Sequence, residues 1–566
     1  MPKTADKLVP ADWQRNDIAE LIERDVSANW SDMGCYKTST ALWTHDYKVK
    51  RDEIEVPSIL VITTRGGKGA FFRDIPKTTD GYTIINVDTK RVSMVINGRS
   101  LKIGSKYPDE VKVPHIVVTH YNVMQKCNLG KTQECPDCKG IGLQDFRWVR
   151  NVNGGMDKVG IPCETCNMKG NLPLPLTQGD RLLLKHWDVV IVDEAHRMKN
   201  PDTHWTKNIK KLKCRYKHIM TGTGFINRPD EIFSLLQFLD PKRYTSYWDF
   251  RGYFCEIDDW SGWATVKGVL PHRKDEFRKT VREFGPRRAK TEVLKELKEP
   301  VYETVTVQLS PTQLRMYQEI KTELETLDKQ GYPITSPNVL SQLNRLRQIC
   351  VATPVVVDEY YDEKEQRRVI KIKLEEPSSK LDALQEVIEG LRWDDDERQQ
   401  IVVFSNFNDP LDLLQARLDP KVDKNGKTYD KGIPYIRLKA SDNDDVRIEK
   451  WLHTWPKKEH QVFLSTVSLG GESIDLTSAQ YVAFLDQSWS PKDNNQARDR
   501  IWRPGQVNTP VVINFFAEDT VDYYVLDKLN TKQNWFNEIF GREDNAENIV
   551  GLQNEAVNDA LNFAGM

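Results

Sequence analysis

Short apolar runs rich in β-branched residues punctuate the chain in two groups. The first holds SILVITT (58–64), HIVVTHY (115–121), DVVIVDEAH (188–196) and HIMTGT (218–223). The second holds QIVVFSNF (400–407), QVFLSTVS (461–468), YVAFLDQ (481–487) and PVVINFF (510–516). Runs of this length, separated by helical or polar stretches, read as buried strands of parallel α/β sheets. Two groups predict two lobes. Between them, 241–375 is rich in Trp, Tyr, Lys and Arg, then turns helical around SPTQLRMYQEIKTELETL and NVLSQLNRLRQIC. That interval is expected to be a mainly helical linker or protrusion. The pattern therefore divides into a first lobe over 1–240, the linker over 241–375, a second lobe over 376–540 and a C-terminal tail over 541–566.

Composition narrows the classes. A chain of 566 residues is too long for one hydrophobic core. No apolar run approaches a membrane span, and MPKTADKLVP has no signal-peptide core, so a cytoplasmic protein without a membrane partner is expected. The net charge of −2 does not exclude nucleic acid, because binding grooves are local and cancel in the sum. Nine cysteines in such a chain favour thiols or metal ligands over disulfides. Four of them form CPDC and CETC, with twenty-four residues between the pair Cys135 and Cys138 and the pair Cys163 and Cys166. Thiolate pairs at this spacing suit a tetrahedral Zn²⁺ site within an insertion over 127–172. CPDCKGIG resembles a zinc knuckle of the DnaJ type, and CETCNMKG matches it less well. Four protein ligands close the shell, so the expected role is structural.

The phosphate-handling candidates come next. WDVVIVDEAHRMKN is a strand ending in two carboxylates, Asp193 and Glu194, at the edge where open α/β sheets bind ligands. One can hold Mg²⁺ while the other orients a water, the division that phosphoryl transfer needs. NWSDMGCYKTSTAL (29–42) sets Gly34, Lys37 and Thr38 before a helix start, where backbone N–H groups and the lysine can cradle phosphates. Tyr36 stands where such a loop wants glycine. At positive φ a bulky residue costs about 1–3 kcal/mol, so Tyr36 is expected to be strained or to point its ring away from the site. Three further stretches complete the set: Thr221-Gly222-Thr223, STVSLGGESIDLT and QARDRIWRPGQ (496–506). In the last, Arg500 and Arg503 are expected on one face of a helix.

Taken in order, these motifs resemble the Swi/Snf-type branch of superfamily-two helicases, ATP-driven translocases on double-stranded nucleic acid, from about Leu8 to about Leu529. PADWQRNDIAELI is similar to the family's adenine-recognition motif, DVVIVDEAHRMKNPDT to its DEAH motif and FLDQSWSPKDNNQARDRIWRPGQ to its last motif. GPRRAKTEVLKEL resembles a stretch that follows its first lobe. The resemblance implies two RecA-like lobes with ATP in the cleft and nucleic acid across both. It places Gln14 near the base, with Gly34 and Gly470 at the nucleotide and Lys37 on the β- and γ-phosphates. Thr38 and Asp193 would hold Mg²⁺, Glu194 would polarise the water, and Arg500 and Arg503 would act as arginine fingers. His196, Thr221, Thr223 and Gln496 would couple the nucleotide to the nucleic acid.

The chain departs from the family pattern at Cys35-Tyr36, at Gly224 where proline is usual, and at Asp475 where asparagine is common. The cysteine insertion is an addition to the family plan. The expected function is an ATP-dependent translocase on duplex DNA, of a stand-alone bacterial or phage type, in replication, repair or recombination; for a phage gene the location is the bacterial host cytoplasm. The alternatives are a nucleic-acid-binding module with an inert nucleotide site and an RNA-directed helicase.

Overall fold

The computed structural model describes residues 7–96, 99–150, 155–222, 228–258, 265–323, 325–327, 333–335, 339–362, 367–394, 397–422, 428–442, 446–447, 449–470, 474–526 and 529. The chain divides into two compact units. One comprises Met1–Asn29, Thr38–Met220 and Phe233–Thr245; the other comprises Trp30–Lys37, Thr221–Ile232 and Ser246–Met566. Among the described residues, no helix is long and apolar enough to cross a membrane. The expected C-terminal tail lies outside the described residues.

In the first unit, helix α1 (Asp12–Ile22) leads to β1 (Val26–Asn29), and α2 (Lys37–Arg51) follows. Next come β2 (Ser58–Thr63), β3 (Thr83–Val87), β4 (Val92–Ile96), β5 (Arg99–Gly104) and β6 (His115–His120). The insertion then carries β7 (Thr132–Glu134), β8 (Leu143–Arg150), β9 (Met156–Pro162) and β10 (Asn171–Pro173). The chain returns with β11 (His186–Asp193) and β12 (Lys213–Met220). The sheet order is β1-β12-β11-β2-β6-β3-β4-β5. Pairing is parallel from β1 to β3 and antiparallel along β4 and β5.

The apolar runs take the central places. Ile59 to Ile62 and Val189 to Val192 have no exposed surface, and Ala41, Leu42 and Val49 of α2 pack onto one face of the sheet. Each such valine, leucine or isoleucine contributes about 1.5–3 kcal/mol by leaving water. Register then aligns the candidate functional edge: Asn29 pairs with Met220 and Asp193 pairs with the same residue. The carboxyl ends of β1, β11 and β12 are therefore level, and the segments that follow them leave the sheet from one edge.

The second unit is built on six parallel strands in the order Val301–Val307, Val511–Ala517, Tyr481–Phe484, Ile401–Ser405, Val462–Thr466 and Tyr435–Arg437. The four expected runs fill the middle. The flanking strand Val301–Val307 reads VYETVTV, an alternation suited to a half-buried edge. The interval 241–375 differs from a mainly helical linker in the strands it contains. It holds the helices Pro311–Glu323 and Val339–Val351, but also that strand and the antiparallel pair Thr353–Asp362 with Arg367–Glu375. β-branched residues in PVVV and RVIKI favour the extended ladder.

Candidate nucleotide and metal sites

Asp193 and Glu194 stand at the functional edge of the first sheet. Thr63, at the end of β2, donates its Oγ1 to Asp193 Oδ2 over 2.7 Å. The backbone then turns sharply, because Glu194 has φ 49° and ψ 46°, a left-handed conformation that costs a non-glycine residue roughly 1–2 kcal/mol. Tyr121 supports this turn. Its hydroxyl donates to the carbonyls of Asp193 (2.7 Å) and Glu194 (3.2 Å), and burial raises its pKa well above the usual value, so it stays a donor. His196 is buried, with Nδ1 3.2 Å from Glu194 Oε2. Sequence reasoning gave neither Tyr121 nor Thr63 a role, since a tyrosine or threonine at a strand end carries no chemical signature by itself.

Gln14 is buried on α1 and fixed at both ends of its amide. Oε1 accepts from Ala11 N (3.0 Å), and Nε2 donates to Thr40 Oγ1 (3.1 Å) in the first turns of α2. Thr38 sits half-buried at the start of that helix. Thr221 is buried directly after β12. Thr223 lies outside the described residues.

In the second unit, the candidate phosphate loop takes the shape its glycine requires. Gly34 has φ 84° and Tyr36 φ 47°, so Tyr36 holds a conformation that suits glycine. Its side chain remains 44% exposed. Lys37 folds back, its Nζ donating to the carbonyls of Ser31 (2.9 Å) and Asp32 (2.8 Å). Cys35 is buried, and its thiol is pushed up to about 12, chiefly by burial and then by Asp32.

The segment 286–290 grips the loop. Trp30 N donates to Pro286 O, Asp32 N to Arg288 O, and Lys290 N to Asp32 Oδ2. Arg287 Nη2 lies 3.2 Å from Asp32 Oδ1. Lys290 is fully buried: its Nζ is 2.7 Å from Asp499 Oδ2, donates to Trp502 O (3.0 Å) and lies over the Trp502 ring. Burial alone would raise Asp499's pKa, but Lys290 and Arg498 outweigh it and hold the carboxyl below its usual range. The string GPRRAK was noted for its resemblance, yet nothing in it announced a buried lysine.

The arginine pair needs a correction. The helix Pro491–Arg498 ends before either residue, so Arg500 and Arg503 do not share a helix face. Arg500 is buried in the following turn, where its carbonyl accepts from Leu476 N. Arg503 donates Nη1 to Ile474 O (3.0 Å). Beyond it the chain runs on in single turns, with Arg500 N donating to Ala497 O and Trp502 N to Arg498 O, and Gln506 Nε2 takes the Ile501 carbonyl. Gln496 lies half-buried within the helix. Gly470 is accounted for by packing, since a Cβ there would come within 2.2 Å of the Phe404 ring. Asp475 caps its own turn, accepting from Thr477 N and Oγ1.

The four cysteines converge. All are buried, their Sγ atoms lie within 4.8 Å of one another, and Cys135–Cys163 and Cys138–Cys166 are 3.7 and 3.6 Å apart. A tetrahedron of sulfurs about 2.3 Å from a central ion has edges near 3.8 Å, so the cluster suits one metal. The two knuckles repeat each other. Gly142 N donates to Cys138 Sγ and Gly170 N to Cys166 Sγ, each four residues on. Lys139, Gly140 and Gly142 have positive φ, and so do Asn167, Met168 and Gly170. Met168 thus adopts the conformation of Gly140, so CETCNMKG forms the same turn as CPDCKGIG despite its poorer match. The strands β7 and β10 pair at the root, and Leu174 N donates to Lys131 O.

Two parallel-sheet lobes, a strand-end carboxylate pair and a lysine-bearing loop define the class as helicase-like α/β proteins. A family model for the SNF2-related domain matches residues 107–354, and one for the helicase conserved C-terminal domain matches 379–505. The chain thus carries an SNF2-related domain followed by a helicase conserved C-terminal domain. The first match begins at residue 107, after the candidate phosphate loop. Similar curated proteins include the chromodomain-helicase-DNA-binding protein 1-like of Danio rerio, 28% identical over 61% of this chain and 31% of that protein. The ISWI chromatin-remodeling complex ATPase of Saccharomyces cerevisiae is 25% identical over 75% and 36%. An uncharacterized ATP-dependent helicase of Mycoplasma genitalium is 28% identical over 62% and 30%. The chain spans about a third of the length of these relatives. Among solved structures, the Sulfolobus solfataricus SWI2/SNF2 ATPase core in complex with dsDNA aligns over 99% of this chain and 98% of that one, at 19% identity and a TM-score of 0.36.

Proposed function

We propose that the protein hydrolyses ATP and uses the cycle to translocate along duplex DNA. The observation that carries this reading is the ordered motif set within two matched family domains, with Asp193 and Glu194 fixed at a strand edge level with the strand that feeds the phosphate loop. The relatives' names, which include DNA binding and chromatin remodeling, support DNA as the track.

Each side chain has a task in this reading. Lys37 exchanges its two loop carbonyls for the β- and γ-phosphate oxygens. Thr38 and Asp193 offer hard oxygen donors of the kind Mg²⁺ takes, and the ion would neutralise charge between the phosphates. Glu194 orients the attacking water, and His196 against its Oε2 ties that carboxylate's position to the adjoining segment. Arg500 and Arg503 stabilise charge developing in the transition state, each from its own turn. The cysteine cluster holds Zn²⁺ as a structural element.

ATP turnover measured in parallel with duplex DNA, single-stranded DNA and RNA tests the reading. Duplex DNA should raise the rate. Glu194→Gln should abolish the stimulated rate and still bind ATP, Lys37→Ala should lose much of the binding, and Arg503→Ala should cut the rate by up to about 10³–10⁵. Stimulation by RNA alone would make the protein an RNA-directed enzyme. No hydrolysis with any nucleic acid would favour the inert module, the reading that the left-handed Tyr36 in the phosphate loop supports.

A further inference from the structure

The ribbon β8–β9 rises from the cysteine cluster with both faces in solvent; nearly every residue along it is exposed. Its register separates the side chains sharply. Phe146 pairs with Gly160, Trp148 with Lys158 and Arg150 with Met156, so these share one face. Lys158 Nζ stands 4.4 Å over the Phe146 ring, which places both on that side. The opposite face receives Asp145, Arg147, Val149, Asp157, Val159 and Ile161. Both carboxylates of the described ribbon thus fall on one side. The other carries two cations, two aromatic rings and a methionine, with no acid.

A two-stranded ribbon with no sheet beside it is marginal in water. Trp148 at 64% exposure and Met156 at 56% add nothing to a core here. A Trp beside Arg150 and Lys158 suits a ligand with flat apolar faces linked by anions. Unpaired nucleotides have that chemistry: bases stack on aromatic rings, and phosphates meet the cations. A closed duplex offers phosphates but hides its base faces. We propose that the Phe146–Trp148–Arg150–Lys158 face binds an unpaired strand of nucleic acid adjoining the duplex. The proposal deepens the DNA-motor reading and rests on it for the duplex alone.

The full chain is titrated by fluorescence anisotropy with a blunt duplex, the same duplex bearing a single-stranded extension, and the extension alone. ATP turnover on the blunt duplex is followed in parallel, and zinc content confirms the fold of each variant. Wild-type protein should prefer the tailed duplex. Trp148→Ala should lose roughly 5- to 150-fold on tailed DNA, the range for one stacked base, with blunt-duplex binding and turnover unchanged. Trp148→Phe should restore much of the loss. Arg150→Ala combined with Lys158→Ala should lower the salt slope on single strands by about 1.4, or about 0.7 per phosphate. Arg147→Ala, on the other face, serves as the control. Unchanged affinity in Trp148→Ala overturns the proposal and leaves the face to a protein partner. Equal loss on blunt and tailed DNA overturns the assignment to an unpaired strand. Absent turnover with intact, Trp148-dependent binding refutes the motor reading and upholds this one.

Discussion

Replacing Tyr36 by glycine and, separately, by alanine isolates the backbone of the phosphate loop from its side chain. Tyr36 has φ 47° and is 44% exposed, so a little over half of its side chain is covered. Both variants forfeit that cover, roughly 100 Å² and therefore about 2.5 kcal/mol at most. They differ in what the backbone costs. Alanine keeps the left-handed penalty of about 1–2 kcal/mol, whereas glycine escapes it and loses about 0.4–1 kcal/mol through a freer unfolded chain. Tyr36→Gly should therefore be more stable than Tyr36→Ala by about 1 kcal/mol, although both fall below wild type. At an ordinary helical or extended φ the order would reverse. Urea midpoints at equal slope measure the difference, and titration with a nucleotide analogue reports the site. The glycine variant should bind at least as tightly as wild type. An alanine variant equal to or more stable than the glycine variant would refute the left-handed backbone, and several-fold weaker binding by glycine would show that the ring itself serves the nucleotide.

Three other outcomes follow from the side chains described. Purified protein should contain one zinc per chain by metal analysis, and Cys138→Ser should lower the protease resistance of the insertion more than it slows ATP turnover. Asp499→Asn should cost about 3–5 kcal/mol in denaturant titration, because it leaves the buried Lys290 ammonium without its counter-charge. Asp499 is depressed in the folded protein, so its contribution is complete above the unfolded carboxyl's pKa of about 3.9 and disappears as pH falls through the folded value. The gap between wild type and variant should thus narrow on acidification; a gap that widens would be incompatible with the ion pair. Gly470→Ala should destabilise by about 1–3 kcal/mol as the new methyl displaces the Phe404 ring, and an unchanged melting temperature would show that the ring yields freely.

The central strands were legible because hydrophobic burial on both faces leaves an uninterrupted apolar run. β1 was not, since Val26–Asn29 reads VSAN and draws its place from pairing with β12. Val301–Val307 was hidden by its alternation, and by its separation from Val511–Ala517, more than two hundred residues away in sequence. At the site, the residues proposed for chemistry were readable by type and spacing: Asp193, Glu194, Lys37 and the four cysteines. Residues whose role is support were not. Tyr121, Thr63 and Lys290 act through tertiary contacts that no local pattern encodes. The arginines show the converse error, where a spacing of three suggested a shared helix although the helix ends at Arg498.

The pairing of β7 with β10 brings the two ends of the cysteine insertion side by side, Thr132 opposite Pro173, with Lys131 and Leu174 joined by a hydrogen bond. Neighbouring antiparallel strands lie about 5 Å apart, a gap that one or two residues can bridge. The insertion is therefore a cassette: about forty residues enter and leave through a single doorway, carrying their own fastening in the form of four thiols. Such a graft could be gained, lost or exchanged in evolution without shifting the register of β6 against its neighbours, and the first sheet and its attachment are free to diversify at different rates.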